Sequence, residues 1–153
     1  MAKQFRVLLV DDEEDFVKAL AERLKMRDLG PDVALSGEEA LQSLDEEIPD
    51  VMVLDLRMPG IDGMEVLRRV KKAYPEIQVI ILTGHGSEKD EEEARRLGAF
   101  EYLQKPVNID HLVKVLRDAY KAKLERHGAA IAFAEEGMYA AAKEIMDEEK
   151  KKH

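Results

Sequence analysis

Three aspartates, one threonine and one lysine stand where apolar runs of this sequence end, and their chemistries are complementary. Asp11 and Asp12 follow "FRVLLV", Asp55 follows "VMVL", Thr83 closes "IQVIILT" and Lys105 follows "AFEYLQ". Singly, each has a plain reading. An aspartate after a strand serves as a turn former or helix N-cap, Thr83-Gly84 as turn chemistry, and Lys105 as a solvated surface charge. Together they describe a site. Carboxylates crowded at one rim repel each other unless a cation joins them. Hard oxygen donors with no His or Cys among them suit Mg²⁺, which takes one or two carboxylates and a phosphate oxygen. Such a cation and the Lys105 ammonium would stabilise a phosphoryl group in transfer. The Thr83 hydroxyl could donate to a phosphoryl oxygen, and one carboxylate could act as nucleophile and form an aspartyl phosphate.

Five strands alternating with five helices would bring these groups to one edge. The strand candidates are 5–10, 32–36, 50–55, 77–83 and 99–104. They are near-continuous apolar runs, as parallel strands covered on both faces require. Between them, "DFVKALAERLKMR" sets Phe16, Val17, Leu20 and Leu24 on one helical face, with Gly30-Pro31 as its stop. Ser36 and Glu39 make a capping-box signature. The remaining helices are 62–74, closed by Pro75; 87–98, with Gly98 just past its end; and 108–126, with Asn108 as N-cap. This alternation is a doubly wound α/β pattern. In such folds ligands sit outside the carboxyl ends of the strands at the topological switch point. Of the five strands, only the second ends without a chemically comparable group.

Composition narrows the function classes. A chain of 153 residues fits one ordinary domain. A net charge of −9 argues against broad nucleic-acid affinity, because a phosphate backbone demands a basic surface. With no Cys there is no disulfide framework. No apolar run approaches the ~20 residues of a membrane span. The N-terminus meets acid too soon for a signal peptide, so a cytoplasmic location is expected.

Four segments, "VLLVDDEED", "DVMVLDLRMPGIDGMEVL", "VIILTGHGS" and "LGAFEYLQKP", agree in kind, order and spacing with one family. The chain resembles a receiver domain of two-component response regulators over roughly residues 4–122, in the single-receiver architecture of chemotaxis-type members. The resemblance implies a flavodoxin-like, five-stranded parallel sheet of order 2-1-3-4-5. It implies that Asp55 is the phosphoacceptor. Asp11, Asp12, Asp55 and the backbone carbonyl of Arg57 would hold Mg²⁺, while Thr83 and Lys105 contact the phosphoryl oxygens. Lys105-Pro106 would be a cis peptide, which proline permits. Thr83 and Tyr102 would form the switch. Val107 stands where the family often has Phe. At Arg57 and His85 family members vary, and side chains there can admit or exclude the hydrolytic water. The implied partner is a sensor histidine kinase or a histidine phosphotransfer protein. The chain would then be a signalling module rather than an enzyme, limited to self-phosphotransfer and slow self-dephosphorylation. Two alternatives stay open: a phosphorylation-independent adaptor, and an aspartyl-nucleophile phosphatase or phosphotransferase of another α/β family. The latter commonly has a second acid two residues after the nucleophile, where this chain has Arg57.

The expected division is a receiver over 1–125 and a C-terminal helical extension over 126–153. The acid belongs to the first part. Residues 1–120 hold 17 Lys/Arg and 26 Asp/Glu, whereas 121–153 hold 7 of each. That neutral tail is short for a DNA-binding domain, and none is expected in this chain. Alanine richness favours an extra helix over about 129–149, with Gly128 as a break before it. Ile131, Met138 and Ile145 form a narrow apolar stripe on it. The stripe could pack on its own receiver, pair with a second chain as a homodimer, or belong to a linker. In the helix at 87–98, Asp90 to Glu93 followed by Arg95 and Arg96 make a bipolar charge patch, either a solvated face or a partner-selecting one.

Overall fold

The apolar runs become the five strands of a single parallel sheet. The computed structural model describes residues 5–135, and the side chains of 5–126. Its strands are β1 (Val7–Val10), β2 (Asp32–Ala34), β3 (Val51–Leu54), β4 (Gln78–Thr83) and β5 (Glu101–Gln104). Its helices are α1 (Glu14–Lys25), α2 (Gly37–Ser43), α3 (Gly63–Ala73), α4 (Glu88–Arg96) and α5 (Ile109–Glu135). The order is β2-β1-β3-β4-β5, every pair parallel. Every residue of β1, β3 and β4 is buried, while the edge strands β2 and β5 carry exposed Asp32 and Gln104.

Alternation along the strands divides the core between two faces. Leu8, Val10, Met52, Leu54, Val79 and Ile81 pack with residues of α2, α3 and α4. Val7, Leu9, Val51, Val53, Ile80 and Leu82 pack with Val17, Leu20 and Leu24 of α1 and with Leu112, Val115 and Leu116 of α5. The buried Gln78 joins the layers, its Nε2 donating to Ala119 O at 3.0 Å. Winding reverses direction between β1 and β3, which makes the gap between their carboxyl ends the switch point.

The helix boundaries follow local chemistry, with some differences from expectation. α1 stops at Lys25, before Gly30-Pro31, because Asp28 adopts φ 63°. Leu29 N–H then reaches Leu24 O at 2.9 Å and Asp28 N–H reaches Lys25 O at 3.1 Å, a Schellman closure. The left-handed residue there is normally glycine. Asp28→Gly is expected to raise stability by about 0.5–1 kcal/mol, read as a higher urea midpoint at unchanged slope. At α2, Ser36 Oγ accepts the Glu39 N–H at 3.1 Å, which is half of the expected box. The reciprocal box forms at α4, between Ser87 and Asp90. Asn108 caps α5, accepting from the N–H groups of Asp110 and His111 at 2.9 and 3.1 Å. Gly98, past the end of α4, has φ 105°, as its position predicts.

The tail differs from expectation. α5 runs without interruption through Gly128 to Glu135, so no break precedes the extension. One internal glycine costs a helix only about 1 kcal/mol, and helix-forming alanines follow it. Residues 136–153, with Met138 and Ile145 of the expected stripe, lie outside the described residues. The chain divides into two units, Met1–Tyr120 and Lys121–His153. Among the described residues, no helix is long and apolar enough to cross a membrane.

Candidate functional site

The sheet ladder extends one residue beyond β1 and β3, and so holds two aspartates. Asp11 N–H donates to Ala34 O at 3.1 Å, and Asp55 N–H donates to Val10 O at 3.0 Å. Both residues are buried, at 4% exposure each, while the adjoining Asp12 is exposed. One carboxylate oxygen from each of Asp11, Asp12 and Asp55 lies within 4.8 Å of the others. At that spacing each ionised pair repels by roughly 3–4 kcal/mol at an effective dielectric of 20.

Lys105 answers part of that charge. Its Nζ lies 2.7 Å from Asp11 Oδ2, 2.7 Å from Glu13 Oε1 and 3.8 Å from Asp55 Oδ2. The Phe16 ring, 4.3 Å from the ammonium, adds a cation–π contact. Backbone geometry fixes the origin of this side chain, because Lys105 N–H donates to Thr83 O at 2.9 Å and the Lys105-Pro106 peptide is cis. Burial pushes the Asp11 carboxyl above the usual carboxylate value. The Lys105 hydrogen bond and the Glu13 N–H oppose this, and the charge of Asp55 adds to it. Burial alone would lower Lys105, yet its bonds to Asp11 and Glu13 prevail and hold the ammonium above its ordinary value. The Lys105 hydrogen bond draws Glu13 below its own.

The remaining expected residues surround this centre. Thr83 is fully buried at the end of β4, its Oγ1 accepting from His85 N–H at 3.3 Å. Arg57 N–H points to Asp55 Oδ1 at 3.4 Å, while its guanidinium turns away to Asp90 Oδ2 at 3.1 Å. Tyr102 lies inward, 7% exposed, and its buried hydroxyl has no hydrogen-bond partner among the described residues. Gly86 makes the room, since a Cβ there would fall 1.5 Å from Tyr102 Oη. Burial, followed by the charges of Asp90 and Glu91, raises the phenol above its usual value.

Four participants carry no mark of a site residue in the sequence. Glu13 is one of five acids in a run, and Phe16 reads only as part of the core stripe of α1. Gly86 and Asp90 have no distinguishing spacing. The patch on α4 is largely paired within the chain. Asp90 meets Arg57; Arg95 meets Glu91 at 3.0 Å and Glu101 at 2.6 Å; Glu93 lies 3.6 Å from Arg68.

Around the cluster stand four carboxylates, counting Glu13, and one ammonium, all hard donors or hard charges. The donor set therefore fits a hard divalent cation taken by oxygen. A two-carboxylate phosphatase arrangement is not supported, since the residue two past Asp55 is Arg57.

Comparison with known proteins agrees with this geometry. The family model described as the response regulator receiver domain matches residues 7–117. A putative NtrX-like response regulator of Rickettsia felis is 40% identical over 126 residues, covering 80% of this chain and 26% of that protein. The transcriptional regulatory protein GlrR of Escherichia coli K12 is 40% identical over 117 residues, covering 76% of this chain and 26% of that protein. The chain thus spans about a quarter of the length of these curated relatives. A receiver-domain crystal structure from Clostridium thermocellum superposes with a TM-score of 0.74 at 35% identity, covering 78% of this chain and 97% of that one. A parallel sheet of order 2-1-3-4-5, an acidic cluster at its switch point and a family match across most of its length make this chain a member of the response-regulator receiver family.

Proposed function

We propose that residues 1–125 form a phospho-accepting switch, with Asp55 as acceptor, and that 126–153 are an appended extension. The phosphoryl donor is a phosphohistidine on a sensor histidine kinase or a phosphotransfer protein. A carboxylate oxygen of Asp55 attacks phosphorus, the P–N bond breaks, and the imidazole leaves with the electron pair. The observation that carries this reading is Lys105 Nζ standing between buried Asp11 and Asp55, at 2.7 and 3.8 Å, beside a third carboxylate.

Asp11, Asp12, Asp55 and the Arg57 carbonyl would hold Mg²⁺, which neutralises charge on the transferring phosphoryl oxygens when bound. Lys105 contributes a fixed positive charge at the same place. Its bond to exposed Glu13 is the one it can exchange at least cost for a phosphoryl oxygen, because an exposed ion pair is weak. Thr83 donates its hydroxyl to another oxygen. Phosphorylation adds about −1.5 to −2 charges at an acidic rim, so the cations decide whether the new state is stable. Movement of Thr83 toward the phosphoryl group frees space beside Gly86, where the Thr83 methyl and Tyr102 both abut. The α4–β5–α5 face then changes between two states. Nothing is turned over except the protein's own phosphoryl group.

The test is Mg²⁺-dependent binding of beryllofluoride, a phosphoryl mimic. At ten times its Kd the mimic should stabilise the chain by about 1.4 kcal/mol, read as an upward shift in thermal unfolding that EDTA abolishes. Absence of any Mg²⁺-dependent shift would leave the phosphorylation-independent adaptor as the better reading.

The inward pocket of Tyr102 is separately testable. In Gly86→Ala the new methyl meets the tyrosine hydroxyl, which has no hydrogen bond to lose among the described residues. The ring should move outward without any phosphoryl group. Ring NMR shifts of Tyr102 should then match those of the beryllofluoride-bound wild type, while wild-type shifts in the free variant would refute the steric account.

A further inference from the structure

We propose that the Arg57–Asp90 ion pair is a latch between the acceptor loop and α4, and that a phosphoryl group on Asp55 opens it. The inference rests on Asp55 being the acceptor. Arg57 starts beside Asp55, with its N–H 3.4 Å from Asp55 Oδ1, yet its guanidinium is spent 3.1 Å from Asp90 Oδ2. Asp90 is no ordinary surface acid. The same Oδ2 accepts the Ser87 N–H at 3.0 Å, and Asp90 N–H donates to Ser87 Oγ at 3.1 Å. One carboxylate oxygen therefore both closes the first turn of α4 and holds Arg57.

The pair is poised to exchange. Its side chains are 58% and 25% exposed, so the bridge is weak. A phosphoryl group brings more charge and three acceptor oxygens to a position two residues away in the chain. Arginine favours such an anion over a lone carboxylate oxygen. Reorientation of the guanidinium toward it withdraws Arg57 from the α4 cap. The charges of Arg57 and Asp90 also act on the Tyr102 phenol, in opposite directions. The latch thus reaches the same face as the Thr83–Tyr102 movement, by a separate set of side chains.

Linkage turns this into a double-mutant cycle on beryllofluoride affinity, measured calorimetrically with Mg²⁺ on the full chain. In Asp90→Asn the side-chain oxygen still accepts the Ser87 N–H, but the side chain no longer competes for Arg57. Affinity should rise about two- to fivefold, the range of an exposed pair. In an Arg57→Gln background, Asp90→Asn should change affinity by no more than experimental error. An equal gain in both backgrounds would mean a general field effect of one removed charge, and would overturn the latch. No gain in the wild-type background would also overturn it. In both cases wild-type binding itself leaves the acceptor reading standing. Failure of the wild type to bind the mimic would remove both.

Discussion

Asp55→Asn takes up no phosphoryl group from acetyl phosphate or phosphoramidate under conditions that label the wild type. The nucleophilic carboxylate is gone, and the loss of rate should reach at least about 10³-fold. The substitution is nearly isosteric. The carboxamide of that variant keeps an oxygen toward the Arg57 N–H, and the backbone bond from position 55 to Val10 O is untouched. An unchanged far-UV spectrum and cooperative melting would therefore assign the loss to chemistry rather than unfolding. Incorporation at the wild-type rate would exclude Asp55 as acceptor. The measurement is radiolabel or intact-mass gain over time, with Asp12→Asn as a companion. Asp12 is an exposed member of the cluster. Its removal should raise the Mg²⁺ concentration that labelling requires without removing the acceptor.

The largest stability effect is expected at Gly63, far from any charge chemistry in kind but not in space. Gly63 opens α3, and its N–H donates to Leu56 O at 3.0 Å. A Cβ there would stand 2.0 Å from Asp55 O and 2.6 Å from Leu56 Cα. Both obstacles are backbone, so no rotamer change relieves the clash. Gly63→Ala must separate the start of α3 from the end of β3. A cost of about 3 kcal/mol or more follows, at the upper end of overpacking effects. Urea unfolding measures it. The fraction that stays folded should also label more slowly, because the displaced segment carries Asp55. Gly84→Ala is the contrast. Its Cβ would meet only the Lys105 side chain, at 3.8 and 3.9 Å, which is ordinary contact. A change within about 0.5 kcal/mol is expected there. Equal tolerance at both glycines would refute the packing argument.

Much of the fold and site is legible in the sequence. Strands with no polar interior, such as "VIIL" within β4, alternating with amphipathic helices, read as parallel and doubly covered, and their terminal polar residues then share an edge. That logic brings Asp11, Asp55, Thr83 and Lys105 together by type alone. What escapes it depends on side-chain reach or on backbone conformation. Asp28 ends α1 in the left-handed region, a role that sequence assigns first to glycine, and so Gly30-Pro31 reads as the stop. Gly128 reads as a break, but a helix with good formers around it absorbs one glycine. Glu13 and Asp90 are each one acid in a run of acids. Only the third dimension shows that Glu13 reaches Lys105 across 92 positions and that Asp90 meets Arg57 across 33.

The central claim is that a phosphoryl group is held on the carboxylate of Asp55. Its most direct measurement is peptide-resolved mass spectrometry of the wild-type chain after labelling with a small phosphodonor and Mg²⁺, with borohydride reduction to trap an acyl phosphate. The account predicts one modified site, Asp55, whose trapped product disappears when EDTA is present during labelling. Modification confined to another residue, or a label that survives base and resists borohydride, would contradict it.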